Sequence, residues 1–153
     1  MSLKLQSAIT AAYVSLKALL SPVAFGVSAI ALDGRNRVLL VRHRYMPGWH
    51  LPGGGVGRGE PPADAVIREL QEEVGLLSNS APQFVGIFTR RLGIATNVIA
   101  LYCIRNVQID FHPNAEIVAV QFADPAHPPP GTAAGTARRL AEFASKATLS
   151  PYW

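Results

Sequence analysis

The chain has 153 residues, of which 49% are hydrophobic and 16% charged, and its formal net charge is +4 with an isoelectric point near 9.6. This composition excludes a disordered polyampholyte, and the length predicts a single domain over residues 1–153 with a hydrophobic core. The excess of basic residues favours an anionic ligand but does not choose among phosphates, nucleic acid and an acidic membrane.

The first part of the chain predicts a helix followed by two strands. Apolar residues recur at helical spacing through residues 4–20, and Pro22 ends that segment. Residues 23–32 and 37–42 have the composition of strands, and the Asp33-Gly34 turn between them predicts a hairpin.

Two features bear on location. The apolar run over residues 18–32 is shorter than a bilayer span and is broken by Pro22, so it predicts no membrane segment. The single cysteine, Cys103, cannot form an internal disulfide and lies in an apolar run, where we expect a core residue. A reducing, cytoplasmic setting is the expectation.

The second half of the chain predicts three more strands and a closing helix. The strands lie near residues 83–89 and 96–105 and over residues 117–122. The proline-rich stretch 125–131 excludes a helix or a central strand, and a helix follows over residues 134–147. Because helices and strands do not strictly alternate, the predicted class is α/β or α+β with a mixed sheet.

The stretch over residues 51–76, LPGGGVGRGEPPADAVIRELQEEVGL, predicts a glycine-rich loop followed by a helix. Pro61 and Pro62 suit the first helical turn, where a missing N–H costs nothing, and Gly75 suits the end. The apolar face of this helix is predicted to consist of Ala63, Val66, Ile67, Leu70 and Val74.

The same helix carries an unusual group of acidic residues. Glu69, Glu72 and Glu73 stand at i, i+3 and i+4, where each like-charge pair costs about 0.2–0.5 kcal/mol. Arg68 is the one nearby basic residue, spaced to pair with Asp64 and Glu72. A solvated acidic face explains three glutamates taken alone, whereas a bound Mg²⁺ or Mn²⁺ explains why their charge is unrelieved.

The wider spacing decides between these alternatives. Gly54 and Glu60 are followed by Arg68-Glu69-Leu70, then Glu72-Glu73, then Gly75-Leu76. This pattern resembles the Nudix box, and every fixed position of the 23-residue signature is matched over residues 54–76. Outside that window the resemblance rests on the order of elements, over a core of roughly residues 23–125.

The resemblance implies a Nudix-like α/β/α sandwich around a mixed sheet, with the box as a loop–helix–loop motif. The N-terminal helix (4–20) and the C-terminal helix (134–147) would be additions to that core. It also implies Mg²⁺-dependent hydrolysis, by metal-activated water, of the diphosphate bond in a nucleoside diphosphate linked to another group. Mn²⁺ is the alternative cation.

Individual site residues are carried over from the box. The resemblance assigns the metal to Glu69, Glu72 and Glu73, with the backbone carbonyl of Gly53 as a further ligand. Arg68 would orient the carboxylates by ion pairing. Glu60 is expected to support the loop rather than to touch the metal.

The general base has two candidate sources. Within the box the favoured residue is Glu69. On the later loop over residues 110–122, Glu116 is the best candidate for a base or an extra ligand, and a surface glutamate is an equal interpretation. Asp110 and Asp124 are weaker candidates.

Substrate contacts are expected just before the box and at one strand end. Arg42 or Arg44 would meet a phosphate, and Tyr45 or Trp49 would stack on a base, although Trp49 could equally pack under the box. Arg90 is a candidate for the far phosphate, with an exposed turn residue as the alternative.

Two functions stay open at this point. The first is a hydrolase acting on a small nucleoside diphosphate derivative, and the second is a catalytically silent Nudix-fold module that binds a nucleotide or regulates. The complete glutamate triplet favours the hydrolase. No membrane partner is expected, a nucleic-acid partner is disfavoured, a homodimer is open, and no marker of a particular substrate subgroup is found.

Overall fold

The computed structural model describes residues 12–14, 16 and 23–153. Residues 12–14 and 16 are helical, and the rest of the helix predicted over residues 4–20 lies outside the described residues. The strands are β1 (Val23–Ala31), β2 (Val38–His43), β3 (Leu76–Ser78), β4 (Gln83–Leu92), β5 (Ala95–Ile104), β6 (Gln108–Ile109) and β7 (Ile117–Ala123). The helices that follow β2 and β7 are α1 (Pro62–Val74) and α2 (Ala134–Ser145). Within this described part, no helix is both long and apolar enough to cross a bilayer.

The central sheet is mixed, as predicted. β5 lies in the middle, parallel to β1 and antiparallel to β4. β4 and β5 form a tight hairpin whose turn contains Gly93, with a φ of 60° that glycine adopts at little cost. Two smaller antiparallel pairs, β2 with β7 and β3 with β6, complete the strands.

The predicted β1–β2 hairpin is wrong beyond its turn. Leu32 and Val38 form one isolated bridge, after which β2 pairs antiparallel with β7. The reason is that β5 occupies one edge of β1 and the glycine-rich loop occupies the other. Val27 N–H donates to Gly54 O (2.8 Å), and Ala29 N–H donates to Pro52 O (2.9 Å).

The helices cover opposite faces of the sheet and give the α/β/α layering. On one side, α1 packs its buried residues against one face of β1 and β5; these helix residues are Ala65, Val66, Leu70 and Val74. On the other side, Leu140 of α2 packs with Ile30, Leu101 and Cys103 from the opposite face. Cys103 is therefore a core residue, as expected.

The boundaries of α1 agree with those expected from the sequence. The helix begins at Pro62, directly after Pro61, and ends at Gly75, whose left-handed φ of 65° closes the last turn. A Cβ at Gly75 would lie 2.3 Å from Asp110 O, so this position also needs glycine for space. The segment that carries the glutamates is thus held at both ends.

Candidate active site

The loop before α1 reaches the site because it adds to the edge of β1. Gly53 has a φ of 146°, and a Cβ there would lie 2.2 Å from Val27 O. Only glycine fits this close backbone approach. The loop therefore lies between β1 and the glutamate-bearing face of α1.

Gly54 leaves the space that Glu69 occupies. A Cβ on Gly54 would lie 2.3–2.7 Å from the carboxylate atoms of Glu69. The Glu69 side chain is only 13% exposed, so it is packed against the loop rather than extended into solvent.

Arg68 links the loop to the helix. Its guanidinium donates to both carboxylate oxygens of Glu60 (2.8 and 3.0 Å) and to Gly55 O (2.9 Å). It also donates to Glu69 Oε1 (2.8 Å) and Glu72 Oε2 (3.2 Å). The expected pair with Glu72 is present, whereas Glu60 and Glu69 take the place of the expected Asp64 as the other carboxylate partners.

Glu60 supports the loop, as its sequence position suggested. Its Oε2 accepts a 2.6 Å hydrogen bond from Gly57 N–H as well as the bonds from Arg68. The Arg68 side chain and the Gly57 amide lower the pKa of Glu60 to about 2. Glu60 is thereby held as a carboxylate that organises the turn.

Glu73 is the buried member of the triplet. The residue is 4% exposed, and its Oε2 accepts a 2.9 Å hydrogen bond from Gly53 N–H. Burial raises the pKa of Glu73 to about 8; the Gly53 amide opposes this rise, and the charges of Glu69, Glu116 and Glu72 add to it. The carboxylates therefore repel one another, a situation that a bound cation would relieve.

Glu116 lies with the box glutamates. A small cavity of about 190 Å³ is lined by Glu69, Glu72, Glu73, Asn114, Ala115 and Glu116. The lining does not include the weaker candidates Asp110 and Asp124. The fold thus brings four carboxylates from two distant parts of the chain to one cavity.

These carboxylates do not already enclose a common point. Among residues 12–14, 16 and 23–153, no three His, Cys, Asp or Glu side chains are arranged as a cation cage. The hydrogen bonds explain this, because Arg68 holds Glu69 and Glu72 while Gly53 holds Glu73. The donor set is made of oxygen atoms and suits a hard divalent cation, which would require the side chains to turn inward.

A larger cleft of about 330 Å³ adjoins the loop and crosses the sheet face. Of the predicted substrate residues, Tyr45 and Arg90 line it, together with Gly53 of the box loop. Other lining residues, to which the sequence assigned no role, include Phe25, Asn97 and Trp153. Arg90 and Asn97 are register partners across β4 and β5.

Three predicted substrate residues do not line this cleft. The Arg44 guanidinium donates to Asn114 O and Ala115 O, both at 3.3 Å. The Arg42 guanidinium lies over the Trp49 ring, 5.2 Å from its centroid. Trp49 is half-buried and packs against the core on the α2 side, so it does not pack under the box helix, which covers the opposite face of the sheet.

Two further features were not assigned from the sequence. The last residues of the chain run beside β4, where Trp153 N–H donates to Thr89 O (2.9 Å), and this puts the indole in the cleft wall. His43 is buried between Tyr45 and His50, and its Nδ1 has no hydrogen-bond partner. Burial and the neighbouring charge of His50 lower the pKa of His43. Both features depend on packing between segments that are distant in the chain, so no local pattern in the sequence predicts them.

Comparison with known proteins agrees with this architecture. Over 50 residues the chain is 44% identical to an RNA pyrophosphohydrolase of Francisella tularensis. This alignment covers 33% of this chain and 32% of that protein. The chain thus spans about a third of the length of the curated relatives it matches. A MutT NUDIX hydrolase from Burkholderia pseudomallei superposes with a TM-score of 0.69 at 22% identity, over 80% of this chain and 98% of that one. A MutT protein from Methanosarcina mazei Go1 gives a TM-score of 0.68 at 19% identity, over 82% and 96%.

These two superpositions show a shared fold. The family assignment rests on a model of the NUDIX domain, which matches residues 22–143 and so includes the loop, α1 and Glu116. Because this match extends over most of its length, the chain belongs to the NUDIX domain family.

Proposed function

We propose that the protein is a Mg²⁺-dependent hydrolase of the diphosphate bond in a nucleoside diphosphate linked to another group. The observation that carries this proposal is the shared cavity of Glu69, Glu72, Glu73 and Glu116, directly beside a cleft that contains Arg90. An acidic cavity next to a cleft that contains an arginine suits a substrate whose phosphates reach the carboxylates through a cation.

Glu69, Glu72 and Glu73 would hold the cation, together with the Gly53 carbonyl and with Glu116 as a fourth carboxylate. All of these donors are oxygen atoms, which favours Mg²⁺ and makes Mn²⁺ the second choice. When bound, the cation neutralises phosphate charge and lowers the pKa of a coordinated water.

The chain's own residues would then hold and move the proton. Glu69, next to Gly54, and Glu116, which lines the same cavity from the segment before β7, are the two candidates to accept the proton of the attacking water. Arg68 would keep Glu69 and Glu72 oriented through its hydrogen bonds. Glu60 would in turn fix Arg68.

The substrate's non-reacting part would occupy the larger cleft. Phe25 and Trp153 offer aromatic faces for a base, while Arg90 and Asn97 offer donors for phosphate or sugar oxygens. Tyr45, 66% exposed, lies where the cleft approaches the carboxylates. Arg42, Arg44 and Trp49 are left out of this contact set because their side chains are engaged elsewhere.

The substrate class is tested with a panel of nucleoside triphosphates, dinucleoside polyphosphates, nucleotide sugars and ADP-ribose, with products separated by chromatography. An RNA oligonucleotide with a 5′-triphosphate belongs in the panel, because matched relatives are named RNA pyrophosphohydrolase. Each substrate is measured with Mg²⁺, with Mn²⁺ and with EDTA. Cleavage by the metal-loaded protein and none in EDTA is the expected result.

A charge-removal variant links any activity to the cavity. Glu73→Gln should lower kcat more than about 100-fold, beyond the range for outer-shell partners of a metal, while the fold is kept because glutamine can still accept from Gly53. Asp64→Asn is the matched control, since it removes one charge from the exposed first turn of the same helix. Nucleotide binding without turnover by the unaltered protein would instead support a silent binding module.

A further inference from the structure

The segment that carries Glu116 is held in a closed turn by one side chain. Asn114 Oδ1 accepts hydrogen bonds from Glu116 N–H (2.9 Å) and Ile117 N–H (2.8 Å). The backbone N–H of Asn114 also donates to Ile117 O (3.0 Å). The backbone of Glu116 therefore has little freedom just before β7 begins.

The other end of the same amide reaches α1. Asn114 Nδ2 donates to Glu73 O (3.1 Å), and Glu72 O lies at 3.5 Å. These carbonyls belong to the last helical turn, which lacks donors of its own. One amide group thus connects the backbone of two box glutamates to the backbone of Glu116.

Arg44 holds the segment from the β2 side. Its backbone N–H donates to Glu116 O (2.8 Å), and its guanidinium donates to Asn114 O and Ala115 O. Arg44, which was one of two arginines expected to contact a phosphate, instead uses its guanidinium to bind the carbonyl groups of this turn. The backbone of this turn is therefore held by hydrogen bonds from two side chains, Asn114 and Arg44, that lie outside the box.

We propose that Asn114 is a positioning residue that sets Glu116 opposite the box glutamates, with Arg44 supporting the same turn. This inference rests on the proposed function. Asparagine suits the role because it donates at one end and accepts at the other, whereas aspartate would put a carboxylate against the helix carbonyls. Asn114 acts through Glu116 and does not itself touch the reacting atoms.

The test is a double-mutant cycle of Asn114→Ala with Glu116→Gln. Asn114→Ala should lower kcat by about 10–100-fold with little change in KM, as expected for a residue behind a metal site. In the Glu116→Gln background, Asn114→Ala should alter kcat by less than about twofold, because the carboxylate that Asn114 positions has already been removed. An equal loss in both backgrounds, or no loss in either, would overturn the inference.

Two further variants separate positioning from general stability. Asn114→Ser replaces Asn114→Ala in the cycle if that protein does not fold, because a serine hydroxyl can still accept from Glu116 N–H without adding a charge, while the donor to α1 is lost. Its loss in kcat should likewise disappear in the Glu116→Gln background. Asn79→Ala is the control, since its amide donates to Ser80 O in an exposed loop. This control should leave kcat unchanged.

Mn²⁺ binding gives a readout that does not need turnover. Measured by electron paramagnetic resonance, Asn114→Ala and Glu116→Gln should each weaken Mn²⁺ binding, and the double variant should bind no more weakly than Glu116→Gln alone. Absence of hydrolysis by the unaltered protein would contradict the proposed function, whereas additive losses in Mn²⁺ affinity would contradict the positioning role. The two failures are therefore distinguishable.

Discussion

At the scale of single residues, two adjacent glycines in the loop before α1 have different surroundings. A Cβ on Gly54 would collide with the Glu69 carboxylate, whereas a Cβ on Gly55 would meet nothing within 4 Å. Neither glycine has a positive φ, so alanine is conformationally allowed at both. The pair therefore isolates the effect of displacing Glu69.

We predict that Gly54→Ala lowers kcat more than about tenfold while the free energy of unfolding changes by less than about 1 kcal/mol. The reason is that the blocked atoms are the far end of a flexible side chain, which can move without disturbing the core. Gly55→Ala should retain normal kcat. Urea unfolding and steady-state kinetics measure both effects, and equal activity of the two variants would show that the position of Glu69 does not matter.

A second residue-scale prediction concerns His43 and pH. Burial lowers the pKa of His43 in the folded protein below the ordinary 6.5, so below about pH 6.5 the unfolded chain binds a proton that the folded chain does not. The contribution of His43 to stability should therefore fall as pH drops, opposite in sign to that of Glu73, whose pKa of about 8 lets the folded chain bind a proton that the unfolded chain does not. Because the Glu73 contribution is common to both proteins, His43→Gln should gain stability relative to the unaltered protein as pH falls. Urea midpoints at about pH 7.5 and 5.5 in metal-free buffer test this.

His112→Gln serves as the control for His43, because the His112 side chain is 82% exposed. Its midpoints should follow those of the unaltered protein at each pH. A His43→Gln protein with the same pH dependence as the unaltered protein would contradict the assignment of that dependence to the buried imidazole.

At the scale of elements, α2 holds the C-terminal residues against β4. The Arg139 side chain is fully buried, pairs with Glu142 (2.9 Å), and donates to Ser150 O and Tyr152 O. Its guanidinium also stacks over Phe88, 4.0 Å from the ring centroid. This buried ion pair therefore supports the segment that puts Trp153 in the cleft wall.

We predict that Arg139→Met lowers the free energy of unfolding by about 3–5 kcal/mol, because it leaves Glu142 buried without its partner. Arg138→Met is the matched control on the same helix; Arg138 also donates to Tyr152 O but is exposed, so the loss should be below about 1 kcal/mol. The double variant Arg139→Met/Glu142→Leu should be less destabilised than Arg139→Met alone. Similar losses for the two arginine variants would contradict this account of the ion pair.

At the scale of the whole molecule, the chain carries a net charge of +4, while the cavity lined by four glutamates is itself acidic. Basic charge outside the cavity would attract the phosphorylated substrates proposed for this protein, and salt would screen that attraction over about 8–10 Å. We predict that kcat/KM falls as NaCl rises while kcat changes less. The slope should be steeper for a substrate with more phosphates; identical slopes for substrates of different charge would contradict electrostatic attraction.

What the sequence by itself determined is local. Pro61, Pro62 and Gly75 mark the ends of α1, and the apolar spacing between them defines its buried face. The spacing of the box identified the family. Each of these signals depends only on residues within about two dozen positions of one another. Helical periodicity also predicted that Glu69, Glu72 and Glu73 share one side of α1, but the expected exposure of Glu73 is wrong, because the loop before the helix covers it.

Only the tertiary structure decided what meets across long distances. β2 could not pair with β1 because the Gly53–Gly54 loop already occupies that edge, a fact that no turn signal contains. In the same way, the convergence of Glu116 with the box, the engagement of Arg44 by the Asn114 turn and the arrival of Trp153 in the cleft depend on strand pairing between distant segments. Hydrogen-bonding edges are filled by whichever segment the whole fold brings there, and local residue patterns do not encode that competition.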